Sequence, residues 1–285
     1  EFYQDFEYML IDPFMEMINQ TQKQGYFEPG VRSGEIALQY KKEDPRDVRN
    51  YRPITLLNVD YKIFAHMLVS RLKVVLDDII TDAKLGFVPG REISESTHFL
   101  KLLQAKLEES DDEGIIIALD WEKAFDRVSW EYLHQATEAL GFGPNMRAWI
   151  KTIYNHEHPP LRRIRTNGSK SDEFPIHSGV PQGCPASPII FLLIAEALSR
   201  AIISDTRLKG VTVDGVEYKI TQFADDTQLI LAGYKYMKRM WGVLSEYEDA
   251  TGMLANKKKF EGIRMGALIR KLIPTVPELR TDMIK

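Results

Sequence analysis

The chain has 285 residues, 44% hydrophobic and 27% charged, with a formal net charge of −4, a composition that suits a globular protein with a sizeable core in one domain or two. A single cysteine, Cys184, excludes an internal disulfide and a cysteine-rich zinc site, and the six histidines are scattered. No apolar run approaches the length of a membrane span, and no signal-peptide pattern opens the chain.

In chain order, helical apolar spacing over 6–17 gives way to a loop over 25–34. Residues 36–40 read as a strand feeding a basic, polar stretch over 41–52. Residues 54–80 read as mainly helical, with an amphipathic run over 61–76. Gly86-Phe87-Val88-Pro89-Gly90-Arg91 is a loop, and a helix is predicted over 95–108. The acidic block Glu108-Glu109-Ser110-Asp111-Asp112-Glu113 reads as a solvated loop. Gly114-Ile115-Ile116-Ile117-Ala118-Leu119-Asp120 is a continuous apolar run of strand length, the pattern of a strand buried on both faces. Ser129 can cap the next helix, with Glu131 in its first turn.

A helix over 145–154 leads to His156 and His158, which, followed by Pro159-Pro160, read as loop residues. Paired strands over 161–166 and 174–178 flank the turn Asn167-Gly168. A Pro- and Gly-rich loop over 178–188 opens the apolar helix 189–203. Two β-branched and aromatic runs, 218–222 and 227–232, form a hairpin about Phe223-Ala224-Asp225-Asp226, and a helix over 235–251 precedes a final basic segment. This order indicates an α/β layer, a sheet backed by helices.

The negative charge is not that of a basic nucleic-acid-binding domain, but the signs are segregated. Lys41-Lys42, Arg162-Arg163-Ile164-Arg165 and Lys257-Lys258-Lys259 are basic clusters, each readable as a solvated face or as a phosphate contact.

Asp225 and Asp226 interrupt two strand-forming runs. Carboxylates are costly to bury unless something positive compensates them, and a plain Asp-Asp turn is the alternative for an isolated pair. Asp120 stands where a buried strand leaves the core. A sheet that sets that strand end beside the hairpin gathers three carboxylates, a donor set for hard divalent cations. Two-metal sites hold ions roughly 3.5–4 Å apart and clamp both oxygens of an in-line phosphoryl displacement.

Asp120-Trp121-Glu122-Lys123-Ala124-Phe125-Asp126, Gly179-Val180-Pro181-Gln182-Gly183-Cys184-Pro185-Ala186-Ser187-Pro188 and Phe223-Ala224-Asp225-Asp226 occur in the order of palm motifs A, B and C of reverse transcriptases. The sequence resembles the branch found in non-LTR (LINE-type) retrotransposons, related to group II intron reverse transcriptases. Asn50-Tyr51-Arg52-Pro53-Ile54 and Leu85-Gly86-Phe87-Val88-Pro89-Gly90-Arg91 resemble its fingers motifs, and Gly252, Asn256 and Lys259 resemble motif D. The resemblance spans roughly 35–261.

It implies an α/β (α+β) right-hand polymerase: fingers over 1–113 with an N-terminal helical extension, palm over 114–265 with an antiparallel sheet, and a tail over 266–285. It further implies two Mg²⁺ ions, with Mn²⁺ as a substitute, on Asp120 and Asp225, the backbone carbonyl of Trp121 completing one site and Asp226, the third catalytic carboxylate and a weaker ligand, near the primer end. RNA template, DNA primer and dNTPs would be the partners, and the nucleus the place of action for a eukaryotic element. Phe125 would bar a ribose 2′-hydroxyl. Gln182 would touch the nucleotide or template, and Gly183 would let backbone approach closely. Arg52, assisted by Lys42, would clamp the triphosphate. Gly90 and Arg91 would meet nucleic-acid backbone, and Lys259 would protonate the leaving pyrophosphate. Pro181 stands where relatives often carry Arg, and Ala186 where many carry Leu.

No counterpart of the primer grip or a helical thumb follows Lys259, so the expectation is fingers plus palm from a larger polyprotein, extending primers poorly by itself. Two other readings are an RNA-templated RNA polymerase, which Phe125 opposes, and a decayed relative retained to bind nucleic acid or protein. Loss of carboxylates would mark the latter, and all three are present.

Overall fold

The computed structural model describes residues 2–272, the side chains of 93–97 and 258 aside. The expected tail beyond 272 lies outside the described residues. A short helix α1 (Phe2–Asp5) and a long α2 (Glu7–Gln24) open the chain, and α2 ends where Gly25, at φ 80°, donates its N–H to Thr21. Then follow α3 (Pro29–Arg32), β1 (Ser33–Tyr40), β2 (Tyr51–Leu57), α4 (Val59–Lys73), α5 (Leu76–Ile79) and α6 (Ile93–Ser110). β3 (Glu113–Leu119), α7 (Trp130–Ala139), α8 (Pro144–Ile153), β4 (Leu161–Thr166), β5 (Ser169–Lys170), β6 (Phe174–Pro175) and α9 (Ser187–Ser204) come next. β7 (Val211–Val213), β8 (Val216–Tyr218), β9 (Ile220–Phe223), β10 (Asp226–Leu231), α10 (Met237–Thr251) and β11 (Glu261–Gly266) follow.

Several expectations change. Residues 54–57 are strand rather than helix, because β1 offers them a full antiparallel partner from Gly34↔Leu57 to Tyr40↔Tyr51; pairing overrides local propensity, and the helix starts only after Asn58. The acidic block is mostly regular structure: Glu108–Ser110 finish α6, Glu113 starts β3, and only Asp111-Asp112 turn between them, Asp111 at φ 55°. The basic segment after α10 contains β11, which the sequence pattern did not reveal.

Two sheets result. One runs β2-β1-β4-β5 with β6 on β4, the β1–β4 pair being parallel. Because β4 pairs with β1, the expected boundary at 113/114 is not a division between sheets. The other runs β11-β3-β10-β9, antiparallel throughout.

β3 lies inside the second sheet, and both of its faces are covered. Ile115, Ile117 and Leu119 join the main core with α9 and α10, while Ile116 meets Leu103, Leu107, Ile230 and Met265 beneath α6. That explains the unbroken apolar run, in which each buried Ile contributes about 1.5–3 kcal/mol. Among the described residues α9 is the helix long and apolar enough to cross a membrane, contrary to the expectation that no segment approaches that length, but 67% of that stretch is buried inside the protein. α9 packs against α7, α10 and β9, as a core helix does.

Candidate active site

β3 and the β9–β10 hairpin are neighbours, Thr227 facing Leu119. The end of β3 therefore emerges beside the turn Ala224-Asp225, bringing Asp120 and the Asp225-Asp226 pair to one end of the sheet. Asp226 stands opposite Phe223, and Ala224 takes φ 54° to close the turn. Partial burial, then the charges of Asp225 and Asp120, push the Asp226 carboxyl above its ordinary range. Three like charges here call for a cation. The residue that answers is Lys259, whose Nζ donates to Asp120 Oδ2 at 2.7 Å. Its ammonium stands where a metal ion's charge would be needed.

The backbone after β3 is held by the segment before Lys259. Asn256 N–H bonds to the Asp120 carbonyl at 2.7 Å and Glu122 N–H to the Leu254 carbonyl at 2.8 Å. Between them, the Trp121 carbonyl accepts no hydrogen bond among the described residues. That carbonyl and the acidic oxygens fit the all-oxygen ligand set of a hard cation. Among the described residues no three His, Cys, Asp or Glu side chains are gathered tightly enough to cage an ion unaided.

Phe125 is half-buried, its ring stacked on Phe191 of α9 at 4.7 Å and 22°. Its carbonyl accepts from Val180 N–H at 2.7 Å, which ties motif A to the motif B loop. Gly179, at φ 81°, leaves room for Asp126: a Cβ there would lie 2.6 Å from the Asp126 carbonyl oxygen. Burial raises the pKa of the Asp126 carboxyl.

Gln182 is half-buried and, with Thr55, Asp126, Trp130 and Arg162, lines a cleft of about 340 Å³ between the first sheet and the motif A and B loops. Gly183 does allow a close approach, but the backbone it admits is the protein's own. At φ 114°, a Cβ on Gly183 would sit 2.4 Å from the Thr55 carbonyl, and Thr55 N–H bonds to the Gln182 carbonyl at 2.6 Å. The loop is thus locked to β2.

Several expected contacts are not assembled. Arg52 is exposed on β2 opposite Gln39. By strand alternation it lies on the other sheet face from Pro53 and Thr55, which line the cleft with Gln182. Lys42 is exposed and paired with Glu43 at 3.4 Å. Arg91 is spent internally: its guanidinium donates to the carbonyls of Ile80, Thr81 and Lys84 and pairs with Asp77 at 2.8 Å. Arg91 therefore fixes the loop rather than offering donors to a nucleic-acid backbone. Gly90, at φ 81°, has open space around it. In β4 Arg162 fits neither expected reading, being buried and bonded to the Arg32 and Leu161 carbonyls, while Arg163 and Arg165 pair with Glu173 and Glu35 at the surface.

The fingers loop contributes something the sequence did not signal. Gln222 N–H bonds to the Ala83 carbonyl at 2.7 Å and Leu85 N–H to the Gln222 carbonyl at 2.9 Å, so residues 83–85 extend the sheet beyond β9. Gly86 then packs directly on the hairpin turn, where a Cβ would lie 2.3 Å from Ala224 N.

The family model described as reverse transcriptase (RNA-dependent DNA polymerase) matches residues 40–271. The chain belongs to the reverse transcriptase family. It is 29% identical over 276 residues to a "Transposon TX1 uncharacterized 149 kDa protein" of Xenopus laevis, covering 96% of this chain and 21% of the relative. It is 28% identical to the "RNA-directed DNA polymerase from mobile element jockey" of Drosophila melanogaster, covering 79% and 24%. A "Retrovirus-related Pol polyprotein from type-1 retrotransposable element R2" of Popillia japonica is 25% identical, at 86% and 34% coverage. These are non-LTR elements, the branch the motifs resemble. The reverse transcriptase chain spans between a fifth and about a third of these relatives' lengths.

Two solved telomerase structures from Candida tropicalis share the fold. The apo enzyme truncated from its C-terminal domain has a TM-score of 0.60 at 11% identity, covering 87% of this chain and 52% of that one. The complex with a TWJ fragment of telomeric RNA has a TM-score of 0.60 at 12% identity, covering 90% and 44%. The polymerase fingers-and-palm architecture is thereby shared. Reverse transcriptases generally work with divalent metal ions.

Proposed function

We propose that this reverse transcriptase domain copies an RNA template into DNA for a mobile element, adding dNTPs to a primer 3′-hydroxyl, as the polymerase part of a larger protein. Asp120 and Asp225 would hold two Mg²⁺ ions, with the Trp121 carbonyl as a further ligand and Asp226 beside the primer end. The observation that carries this reading is the convergence of Asp120 and the Asp225-Asp226 turn at one end of the antiparallel sheet, where Lys259 already supplies positive charge. When bound, divalent cations would acidify the primer hydroxyl and neutralise charge on the triphosphate.

The chain's own residues supply position and selection. Phe125, backed by Phe191, presents a fixed aromatic face that fills the space a 2′-hydroxyl would need. Gln182, held by Thr55, offers an amide to the nucleotide or template strand from the cleft wall. Lys259 carries a proton that can pass to the leaving pyrophosphate once a cation has displaced it from Asp120. RNA template, DNA primer and dNTPs would be its partners, and the nucleus its place of action if the element is eukaryotic.

The test is Mg²⁺-dependent dNTP incorporation on an RNA template by the full-length protein, with Asp225→Ala alongside. Loss of incorporation in the variant is expected. Equal activity in Asp225→Ala would sink the mechanism, and a folded parent that binds RNA without polymerising would favour the binding-module reading.

A further inference from the structure

Beneath the carboxylates lies a row of buried polar side chains that the reaction itself does not use. Gln222 and Thr227 face each other across β9 and β10 and form the base of the hairpin carrying Asp225 and Asp226. Gln222 Nε2 donates to Thr227 Oγ1 at 2.9 Å, and Trp121 Nε1 donates to the same oxygen at 3.1 Å. Gln222 Oε1 in turn accepts from Ser199 Oγ of α9 at 2.6 Å and from Lys84 Nζ of the fingers loop. Lys84, Trp121, Ser199, Gln222 and Thr227 are all buried.

An apolar side chain would cost less at each of these places, since buried polar atoms must all find partners merely to break even. What a satisfied network adds is geometry: each bond has a length and an angle, whereas apolar contact tolerates sliding. Here the bonds join the parts whose relative position sets the site. Trp121 directly follows Asp120, and Gln222 and Thr227 bracket the hairpin carboxylates.

We propose that Thr227 and Gln222 are positioning residues, a hydrogen-bonded joint that fixes the spacing between Asp120 and the Asp225-Asp226 turn and so makes the carboxylates a metal site. The inference rests on the metal-site reading above. The joint acts through the Thr227 hydroxyl, which accepts from motif A on one side and from the hairpin on the other. Lys84 and Ser199 hold the Gln222 amide in the orientation that sends its Nε2 toward Thr227.

The test uses Mn²⁺ as the probe, read by electron paramagnetic resonance on the full-length protein with a dideoxy-terminated primer on an RNA template and the matching dNTP, whose phosphates complete the ligand set. Only sites lost in Asp225→Ala are counted. Thr227→Val keeps the shape and removes the hydroxyl; Thr227→Ser restores it; Gln222→Met keeps an unbranched chain without polar partners. Thr227→Val and Gln222→Met should each weaken Mn²⁺ binding roughly tenfold, as loss of groups that orient ligands does, with the melting profile still cooperative. Thr227→Ser should bind within about twofold of the parent, since its hydroxyl still orients the ligands. In single-nucleotide addition the same variants should lose kcat while KM for dNTP holds.

Parent-like Mn²⁺ binding in either folded variant overturns the proposal, and so does a Thr227→Ser protein as weak as Thr227→Val. A parent with no Asp225-dependent Mn²⁺ site overturns the metal reading itself, and this inference with it.

Discussion

Lys259 donates to Asp120 across 2.7 Å, joining positions 139 residues apart in the chain. Lys259 belongs to the basic run 257–259, and its Nζ reaches the Asp120 carboxylate. Both side chains are about half exposed, so the pair contributes less than about 1 kcal/mol to stability. On the proposed metal reading, a cation arriving at Asp120 would have to displace the ammonium.

Lys259→Met should therefore bind Mn²⁺ a few-fold more tightly than the parent while adding nucleotide more slowly. Metal titration and single-turnover kinetics on one preparation separate the two effects. Weaker metal binding in Lys259→Met would show that the lysine supports the site instead of competing for it.

Gly86→Ala should damage the site more than the fold. The new methyl would sit 2.3 Å from Ala224 N, a backbone atom with nowhere to retreat, next to Asp225. Overpacking of this kind costs about 1–3 kcal/mol. Polymerisation should fall well beyond what the lost stability explains. Gly30→Ala, where a Cβ meets nothing within 4 Å, is the control and should lie within about 0.5 kcal/mol of the parent. Denaturant unfolding alongside primer extension makes the comparison.

Phe125→Ala should destabilise the protein by about 3–5 kcal/mol at most, less if its exposed face carries little of the packing, because it removes a ring stacked on Phe191. In the same protein, incorporation of ribonucleotides relative to deoxynucleotides should rise. Unchanged discrimination in a folded Phe125→Ala protein would make the ring a core aromatic only.

Lys84 should make stability depend on pH. Burial lowers its pKa from 10.5 to about 7, and the charge of Glu196 only partly opposes this. Between those values the unfolded chain holds a proton that the folded one has released, so unfolding free energy rises as pH rises from about 7 to 10.5. Below that window both states are protonated and the burden of a buried ammonium is at its full size. Lys84→Met should flatten the slope and gain most over the parent below pH 7, because Ser199 still donates to Gln222. Chemical denaturation across the range reads the difference.

Much of the site was legible because its parts are short and local. The apolar run of β3 announced a strand covered on both faces, and Ile116 and Ile117 do point into different clusters. Ser129 caps α7 by accepting from Tyr132 N–H, as its place before the helical pattern indicated. β2 and β11 were not legible as strands: neither has a strong period, and each is strand because a neighbour offers unpaired backbone groups in register. Arg91 misled for the same kind of reason. A loop arginine reads as available, and only the folded chain shows three carbonyls already facing it.

The sequence by itself determined the family of this protein, through motifs that carry the carboxylates, the aromatic ring and the loop in a fixed order. Residue type and spacing carry that, because ligand donors and turn formers act over a few residues. Only the tertiary structure decided how those parts are aligned. It set Thr227 between Trp121 and Gln222, placed Gly183 against Thr55 and Gly86 against Ala224, and chose Lys259 as the partner of Asp120. Such contacts join distant stretches of chain, and their distances arise from packing a whole sheet at once, so the return of Asp120 to the Asp225-Asp226 turn becomes a measurable site only in the fold.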